Sequence, residues 1–140
     1  MGIAAAGFNY CYDKRLYDRI LQGPAEQVRL HLLADDEYQH GLVRFVENHD
    51  EPRAASAFGS ARSQVAAVTA LTQTGARLVH NGQLEGATVH LPVFLGRYPI
   101  RADRSPHFIA FYRSFLPALA DPTFRNGRWQ LVRPIRMAWR

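Results

Sequence analysis

An apolar run that leads directly into an Asn-His-Asp triplet constrains the fold of this chain more than any other segment. Residues 41–46 are mostly apolar and predict a buried strand. Asn48, His49 and Asp50 follow almost at once, and Pro52 prevents further pairing because it has no backbone N–H. An imidazole and a carboxylate therefore stand side by side at the carboxyl end of a buried strand. Parallel α/β proteins build their sites at such ends.

Strand-like and helix-like segments alternate along the chain. Alternating large apolar side chains predict a first strand at 7–12, and residues 76–79 predict a third. Apolar residues at helical spacing predict helices in the intervening segments 15–21, 25–33 and 60–72 and in a segment that opens at Ser105-Pro106. The order strand, helix, strand, helix, strand, helix predicts an α/β fold with parallel strands joined by right-handed crossovers.

Three local features refine this prediction. In the helix at 60–72, we expect an inward face made of Val65, Ala66, Val68 and Leu71. Pro117 should kink or end the last helix. The polar stretch 35–39 is compatible with either a helical continuation or a loop.

Bulk properties narrow the class of protein. A length of 140 residues predicts one domain, and 17 basic against 12 acidic side chains give a net charge of +5. That charge is compatible with an anionic partner but identifies none. Cys11 is the single cysteine, which excludes an internal disulfide and fits a reducing compartment. Since no run approaches the roughly 20 apolar residues that span a bilayer, we expect a cytoplasmic protein that does not enter a membrane.

A second motif follows the triplet by the length of one helix and one strand. Residues 74–86 read Thr-Gly-Ala-Arg-Leu-Val-His-Asn-Gly-Gln-Leu-Glu-Gly. With Asn48-His49-Asp50, this segment resembles the seventh and eighth strand regions of the α-amylase family (glycoside hydrolase family thirteen). The resemblance covers about residues 7–129. It implies a partial (β/α)8 TIM barrel that consists of the last three β/α units, strands six to eight. Residues 1–123 would form the C-terminal portion of this barrel, and residues 124–140 the start of a truncated C-terminal β region.

The resemblance also implies roles for two residues. Asp50 corresponds to the family's third carboxylate, which stabilises the transition state, and His49 to the imidazole that binds sugar hydroxyls. The implied function is glycoside hydrolysis at α-glucosidic bonds in carbohydrate metabolism, with an α-glucan or oligosaccharide as substrate and no cofactor or metal. The family's nucleophile and general acid lie on strands four and five, so we expect this fragment to be inactive as an isolated chain.

For the other candidate residues, a structural role is the favoured interpretation. Glu85 is either a catalytic partner of Asp50 or a group that fixes its loop by accepting backbone N–H bonds, and the second interpretation is favoured. Asp13 and Lys14 predict a surface ion pair rather than a contact to an outer sugar. His31, His80 and His90 lack metal-ligand spacing and are interpreted as packed or solvated side chains, and Cys11 as a small core residue.

Two other function classes stay open. The chain could be a non-catalytic partial-barrel module for binding or assembly, with self-association through open barrel edges. A less favoured alternative is a basic nucleic-acid-binding domain, because arginines alternate with aromatic residues near the C-terminus. These residues are Arg125, Arg128, Arg133, Arg136 and Arg140, with Phe124, Trp129 and Trp139. From Ile135 onward, alternation of apolar residues with arginine instead favours a half-buried strand with a solvated face.

Overall fold

In the computed structural model, which describes residues 7–92, 94 and 104–132, three short parallel strands form one sheet surrounded by helices. The strands are β1 (Cys11–Tyr12), β2 (Leu42–Arg44) and β3 (Ala76–Arg77), in spatial order β1-β2-β3. The helices are α1 (Lys14–Gln22), α2 (Ala25–Leu32), α3 (Asp36–His40), α4 (Ala54–Phe58), α5 (Ser60–Leu71), α6 (Pro106–Leu119) and α7 (Thr123–Asn126). The predicted α/β class and the parallel pairing are confirmed, although each strand is shorter than expected.

The sheet brings the three strand ends into line. Cys11 pairs with Leu42, and Val43 pairs with Ala76, so β2 is the central strand. The Cys11 N–H donates to the Gly41 carbonyl at 3.0 Å, and the Leu78 N–H donates to the Arg44 carbonyl at 2.8 Å. Residues that follow β2 and β3 therefore meet at the same edge, as the carboxyl ends of parallel strands do.

The polar stretch 35–39, for which both a helix and a loop were compatible, is helical, and Asp35 is its N-cap. Its side chain accepts from the backbone N–H groups of Glu37 and Tyr38 and so caps α3. The capped helix is short and ends at His40, next to the start of β2.

The inward face of α5 differs from the predicted one. Ala66 and Leu71 are buried as expected, but Val65 and Val68 are 64 % and 43 % exposed. Small side chains occupy the buried face instead, namely Ser63, Ala66, Ala67 and Ala70. Small residues let the helix approach its neighbours closely, so the two valines lie outside its innermost face.

Pro117 does not break α6, which ends two residues later at Leu119. The helix begins with Ser105 at the N-cap and Pro106 at the first position, as predicted, although the Ser105 side chain makes no capping hydrogen bond. One continuous apolar core contains buried side chains of α1, α2, the segment after β2, α4, α5 and α6. Its largest members include Tyr17, Phe45, Phe58, Phe108 and Tyr112.

The segment after α6 shows no strand within residues 120–132. Phe124 to Asn126 lie in α7, and residues 127–132 form neither helix nor strand. The rest of the proposed C-terminal β region, including the strand predicted from Ile135, lies outside the described residues. In the part of the chain that the structure describes, no helix has the length and apolarity to cross a membrane.

Candidate functional site at the carboxyl end of the sheet

His49 and Asp50 stand on the loop that follows the central strand. Phe45 and Val46 continue from β2 into the core and are buried, whereas the next residues turn outward. The side chains of His49 and Asp50 are 58 % and 66 % exposed, and His49 Nε2 lies 3.4 Å from Asp50 Oδ2. The imidazole and the carboxylate are thus adjacent and available to a ligand.

Asn48 fixes the backbone of this loop. Its Oδ1 accepts from the N–H groups of Asp50 and Glu51, both at 2.9 Å, which makes an Asx turn. Asn48 is itself buried. The triplet therefore divides into one buried residue that shapes the turn and two exposed residues that the turn presents.

Glu47, just before the triplet, is a buried carboxylate that no sequence pattern singled out. It is 1 % exposed, and its Oε2 accepts from the Ala54 N–H at 2.6 Å. Arg53 Nη2 lies 2.9 Å from Oε1 and forms an ion pair with it. Oε1 nevertheless receives no well-aligned hydrogen bond from any described residue. Burial raises the pKa of Glu47 to about 6, and the Ala54 N–H, Arg53 and His90 limit that rise.

Arg53 joins the loop after β2 to the loop after β3. Besides its ion pair with Glu47, it donates through Nη2 to the Asn81 carbonyl at 2.7 Å and through Nε to the Ala87 carbonyl at 3.4 Å. Its Nη1 lies 2.8 Å from His80 Nδ1. Because Arg53 is always a donor, His80 Nδ1 accepts and its proton sits on Nε2. Burial, followed by the charge of Arg53, lowers the pKa of His80.

Three histidines that are distant in sequence converge at this edge. His90 Nε2 donates to the His49 carbonyl at 3.0 Å, and both His49 and His90 are close enough to His80 to lower its pKa. His80 and His90 are thus neighbours in space, although their sequence spacing is not that of metal ligands. Even so, no group of three or more His, Cys, Asp or Glu within the described residues has the arrangement of a metal site.

Gln83, rather than Glu85, shapes the loop after β3. Its Oε1 accepts from the His80 N–H at 3.1 Å, and its Nε2 donates to the Tyr112 hydroxyl at 2.7 Å. Glu85 contributes its backbone carbonyl, which accepts from the Ser105 N–H at 2.8 Å. No backbone N–H among the described residues donates to the Glu85 carboxylate, so the expected loop-fixing role of that side chain is not observed. The Gly-Gln-x-x-Gly pattern was the signal for Gln83.

The residues that follow β1 form a separate buried cluster. Asp13 is 3 % exposed and pairs with Arg44 and His31, so the prediction of a surface ion pair was wrong for this residue. Lys14 does form surface pairs, with Asp18 and with Glu51 at 3.2 Å. Cys11 is half-buried on the edge strand rather than a core residue.

At this edge of the sheet, buried side chains hold the loop that presents His49 and Asp50 to solvent. A carboxylate and an imidazole can together bind vicinal hydroxyls or stabilise a developing positive charge. Comparisons of this chain with protein-family models, with curated proteins and with solved structures each find no match. The resemblance to the α-amylase family therefore rests on the two quoted segments alone.

Proposed function

We propose that this chain supplies the last three β/α units of an α-amylase-type glycoside hydrolase barrel and that its Asp50 and His49 act at α-glucosidic bonds. One observation carries the proposal: both side chains are exposed at the carboxyl end of the central parallel strand, on a turn that buried groups hold rigidly. That is where parallel α/β barrels perform catalysis.

The chemistry assigns a separate task to each group. Cleavage of a glycosidic bond passes through an oxocarbenium-like transition state, which the Asp50 carboxylate would stabilise by its negative charge. His49 would bond a sugar hydroxyl in both the ground state and the transition state. Retaining enzymes also need a nucleophile and an acid about 5–5.5 Å apart. In the resembled family these come from strands four and five, so the proposal assigns neither to this chain.

Binding of an α-linked sugar is the direct test. Amide NMR signals of residues 48–51 should shift on titration with maltotriose and should not shift with β-linked cellotriose. Asp50→Asn and His49→Ala should each abolish the response. Asp36→Asn serves as the matched control, because Asp36 is an exposed carboxylate on α3. Equal responses to both sugars, or no response to either, would contradict the proposal.

A turnover assay tests the division of roles. The purified chain should not hydrolyse an aryl α-glucoside, since a single stabilising carboxylate supplies neither nucleophile nor proton donor. If turnover is found and disappears in Asp50→Asn, the chain holds its own catalytic pair, and Glu51 or Glu85 would have to take one of the missing roles.

A specific observation favours a second candidate, a non-catalytic assembly module. Strand β1 pairs only with β2 within the described residues, which leaves its other edge without a strand there. Phe8, Tyr10 and Tyr12, in or just before β1, are 66 %, 53 % and 47 % exposed. An open strand edge flanked by aromatic side chains favours pairing with another chain.

Size-exclusion chromatography with light scattering tests this alternative. A chain that associates through the β1 edge should become monomeric in Phe8→Glu. Leu30→Glu should have no effect, because Leu30 is similarly exposed but lies on α2. Association that persists in Phe8→Glu, or a monomeric parent chain, would exclude self-association through this edge.

A further inference from the structure

A cavity of about 840 Å³ lies at the end of the sheet opposite to His49 and Asp50. Tyr10, His40 and Gly75, which line it, come shortly before β1, β2 and β3 respectively. The cavity therefore faces the amino ends of all three strands. Its other wall comes from residues 123–129, in and after α7.

The charge of this cavity is entirely positive. Arg77, Arg125 and Arg128 line it together with His40, and no Asp or Glu is among its lining residues. None of the three arginines lies within 4.0 Å of a carboxylate in the described part of the chain. Among the residues outside that part, Asp103 is the one acidic side chain. The chain therefore provides little negative charge that could neutralise these three arginines.

Arg77 is held in place without being neutralised. Its Nε donates to the Leu71 carbonyl at 2.6 Å and its Nη2 to the Phe124 carbonyl at 2.8 Å. These neutral acceptors orient the guanidinium but leave its charge uncompensated. Burial and the neighbouring charge of Arg125 lower the pKa of Arg77, which is the response of a cation that lacks an anionic partner.

The remaining lining groups suit an organic ligand that carries an anion. Phe124, Trp129 and Tyr10 provide aromatic surface, and Thr74 and Thr123 bring hydroxyl groups to the same cavity. Sugar rings and planar ligand groups pack against aromatic side chains, while guanidinium groups bind phosphate oxygens through paired N–H donors.

We propose that this cavity is a phosphate-group site, in which Arg77, Arg125 and Arg128 bind the oxyanion of a small ligand. The proposal is independent of the function assigned to His49 and Asp50. A cavity of this size holds one small molecule, since ligand sites usually measure about 300–1,000 Å³. A single nucleic-acid strand would instead require an extended groove that follows several nucleotides. The arginine-aromatic segment at 124–129 thus forms one wall of a half-open cavity and not an open stripe.

Isothermal titration calorimetry at constant ionic strength tests the site with three probes: inorganic phosphate, glucose 6-phosphate and glucose. We expect both phosphates to bind and glucose not to bind. Tighter binding of glucose 6-phosphate would identify a phosphate monoester as the ligand, and equal binding would identify free phosphate. Arg125→Gln and Arg128→Gln should each weaken phosphate binding about tenfold, the usual effect of losing one charged hydrogen bond.

Arg125 and Arg128 are exposed, so their replacement should leave the fold intact even if Arg77→Gln does not fold. Arg29→Gln is the control, because Arg29 lies on α2 and pairs with Glu26. Unchanged phosphate binding in the Arg125→Gln/Arg128→Gln double variant would overturn the proposal. Preferential binding of a single-stranded oligonucleotide that excludes glucose 6-phosphate would also overturn it, in favour of a nucleic-acid surface.

Discussion

Asp13 and Glu47 are both buried carboxylates that follow neighbouring parallel strands, yet their surroundings differ. Both oxygens of Asp13 are satisfied: Oδ1 accepts from the Leu16 N–H at 3.1 Å, and Oδ2 accepts from His31 at 2.9 Å and from Arg44. Glu47 has one good hydrogen bond, from the Ala54 N–H, and its other oxygen has only ion-pair contacts among the described residues.

The pKa values of the two groups shift in opposite directions. Burial alone would raise the pKa of Asp13, but the hydrogen bond from His31 and the charge of Arg44 outweigh burial and hold it below the ordinary value. For Glu47 burial prevails, and its pKa rises to about 6. The aligned donors around Asp13 therefore outweigh the effect of its burial, whereas the single aligned donor at Glu47 does not.

Replacement of Asp13 should have the largest effect on stability. Asp13→Ala removes the cap of α1 and leaves Arg44, which is 0 % exposed, without its counter-ion. Breaking a buried pair in this way costs about 3–5 kcal/mol, and loss of a cap about 1 kcal/mol more. Urea unfolding measures the change, with Asp18→Ala as the exposed control on the same helix. A loss below about 1 kcal/mol in Asp13→Ala would mean that Arg44 does not depend on this partner.

Replacement of Arg53 should have a smaller effect that depends on pH. Without Arg53, ionised Glu47 keeps only the Ala54 N–H as a strong donor, and we expect a loss of about 2–3 kcal/mol at pH 8. At pH 5 the loss should be smaller, because Glu47 is then largely protonated and needs no cation. Unfolding free energies of Arg53→Gln at the two pH values check this, with Arg29→Gln as the control. Equal losses at both values would contradict the role of Glu47.

In the parent chain, the two carboxylates should change the unfolding free energy with pH in opposite directions. Glu47 has a folded pKa of about 6 against an ordinary 4.5, so the folded state binds its proton more tightly. Its ionisation therefore lowers stability between these values as pH rises, by on the order of 2 kcal/mol. Asp13 acts in the opposite sense, because its pKa is depressed: its contribution is present above about pH 4 and is lost as pH falls through the folded pKa.

Two variants separate these contributions in urea unfolding across pH 3 to 8. Glu47→Gln should remove the fall in stability between about pH 4.5 and 6, and Asp13→Asn should flatten the loss at lower pH. His80 contributes with the opposite sign to Glu47, since its pKa is lowered, so the difference between parent and Glu47→Gln is the informative quantity. A difference that stays constant with pH would show that Glu47 does not titrate in this range.

The helices and strands were largely predictable because the sequence motifs that mark them are local. Asn48-His49-Asp50 and Pro52 marked the end of β2, and Ser105-Pro106 marked the start of α6. Burial on α5 was harder to predict, since hydrophobicity favoured Val65 and Val68, whereas close packing selected the alanines. Helix periodicity locates a helix, but size complementarity with its neighbours decides which face is innermost.

The partners of Asp13, and the contact from Arg53 to His80, could not be predicted because these residues are distant in sequence. Asp13 meets His31 and Arg44, which are 18 and 31 positions away, and Arg53 meets His80 27 positions away. No local pattern reports such contacts. The sheet order brings Asp13 to Arg44 and Arg53 to His80 by aligning the strand ends, and helix α2 adds His31. Sequence reasoning therefore located the exposed His49 and Asp50 but missed the buried groups that hold their loop.

The smallest expected effect on stability is that of Asp50, which completes the comparison among the three carboxylates. Its side chain is 66 % exposed, and its neighbour at 3.4 Å is the similarly exposed imidazole of His49. Contacts of this kind contribute little, so Asp50→Asn should change the unfolding free energy by less than about 0.5 kcal/mol. The same variant should lose the response to maltotriose completely. A carboxylate that the fold does not need, on a turn that the fold holds rigidly, is available for a ligand. A loss above about 1 kcal/mol in urea unfolding would instead make Asp50 a structural residue, and the proposed sugar site would lose its central group.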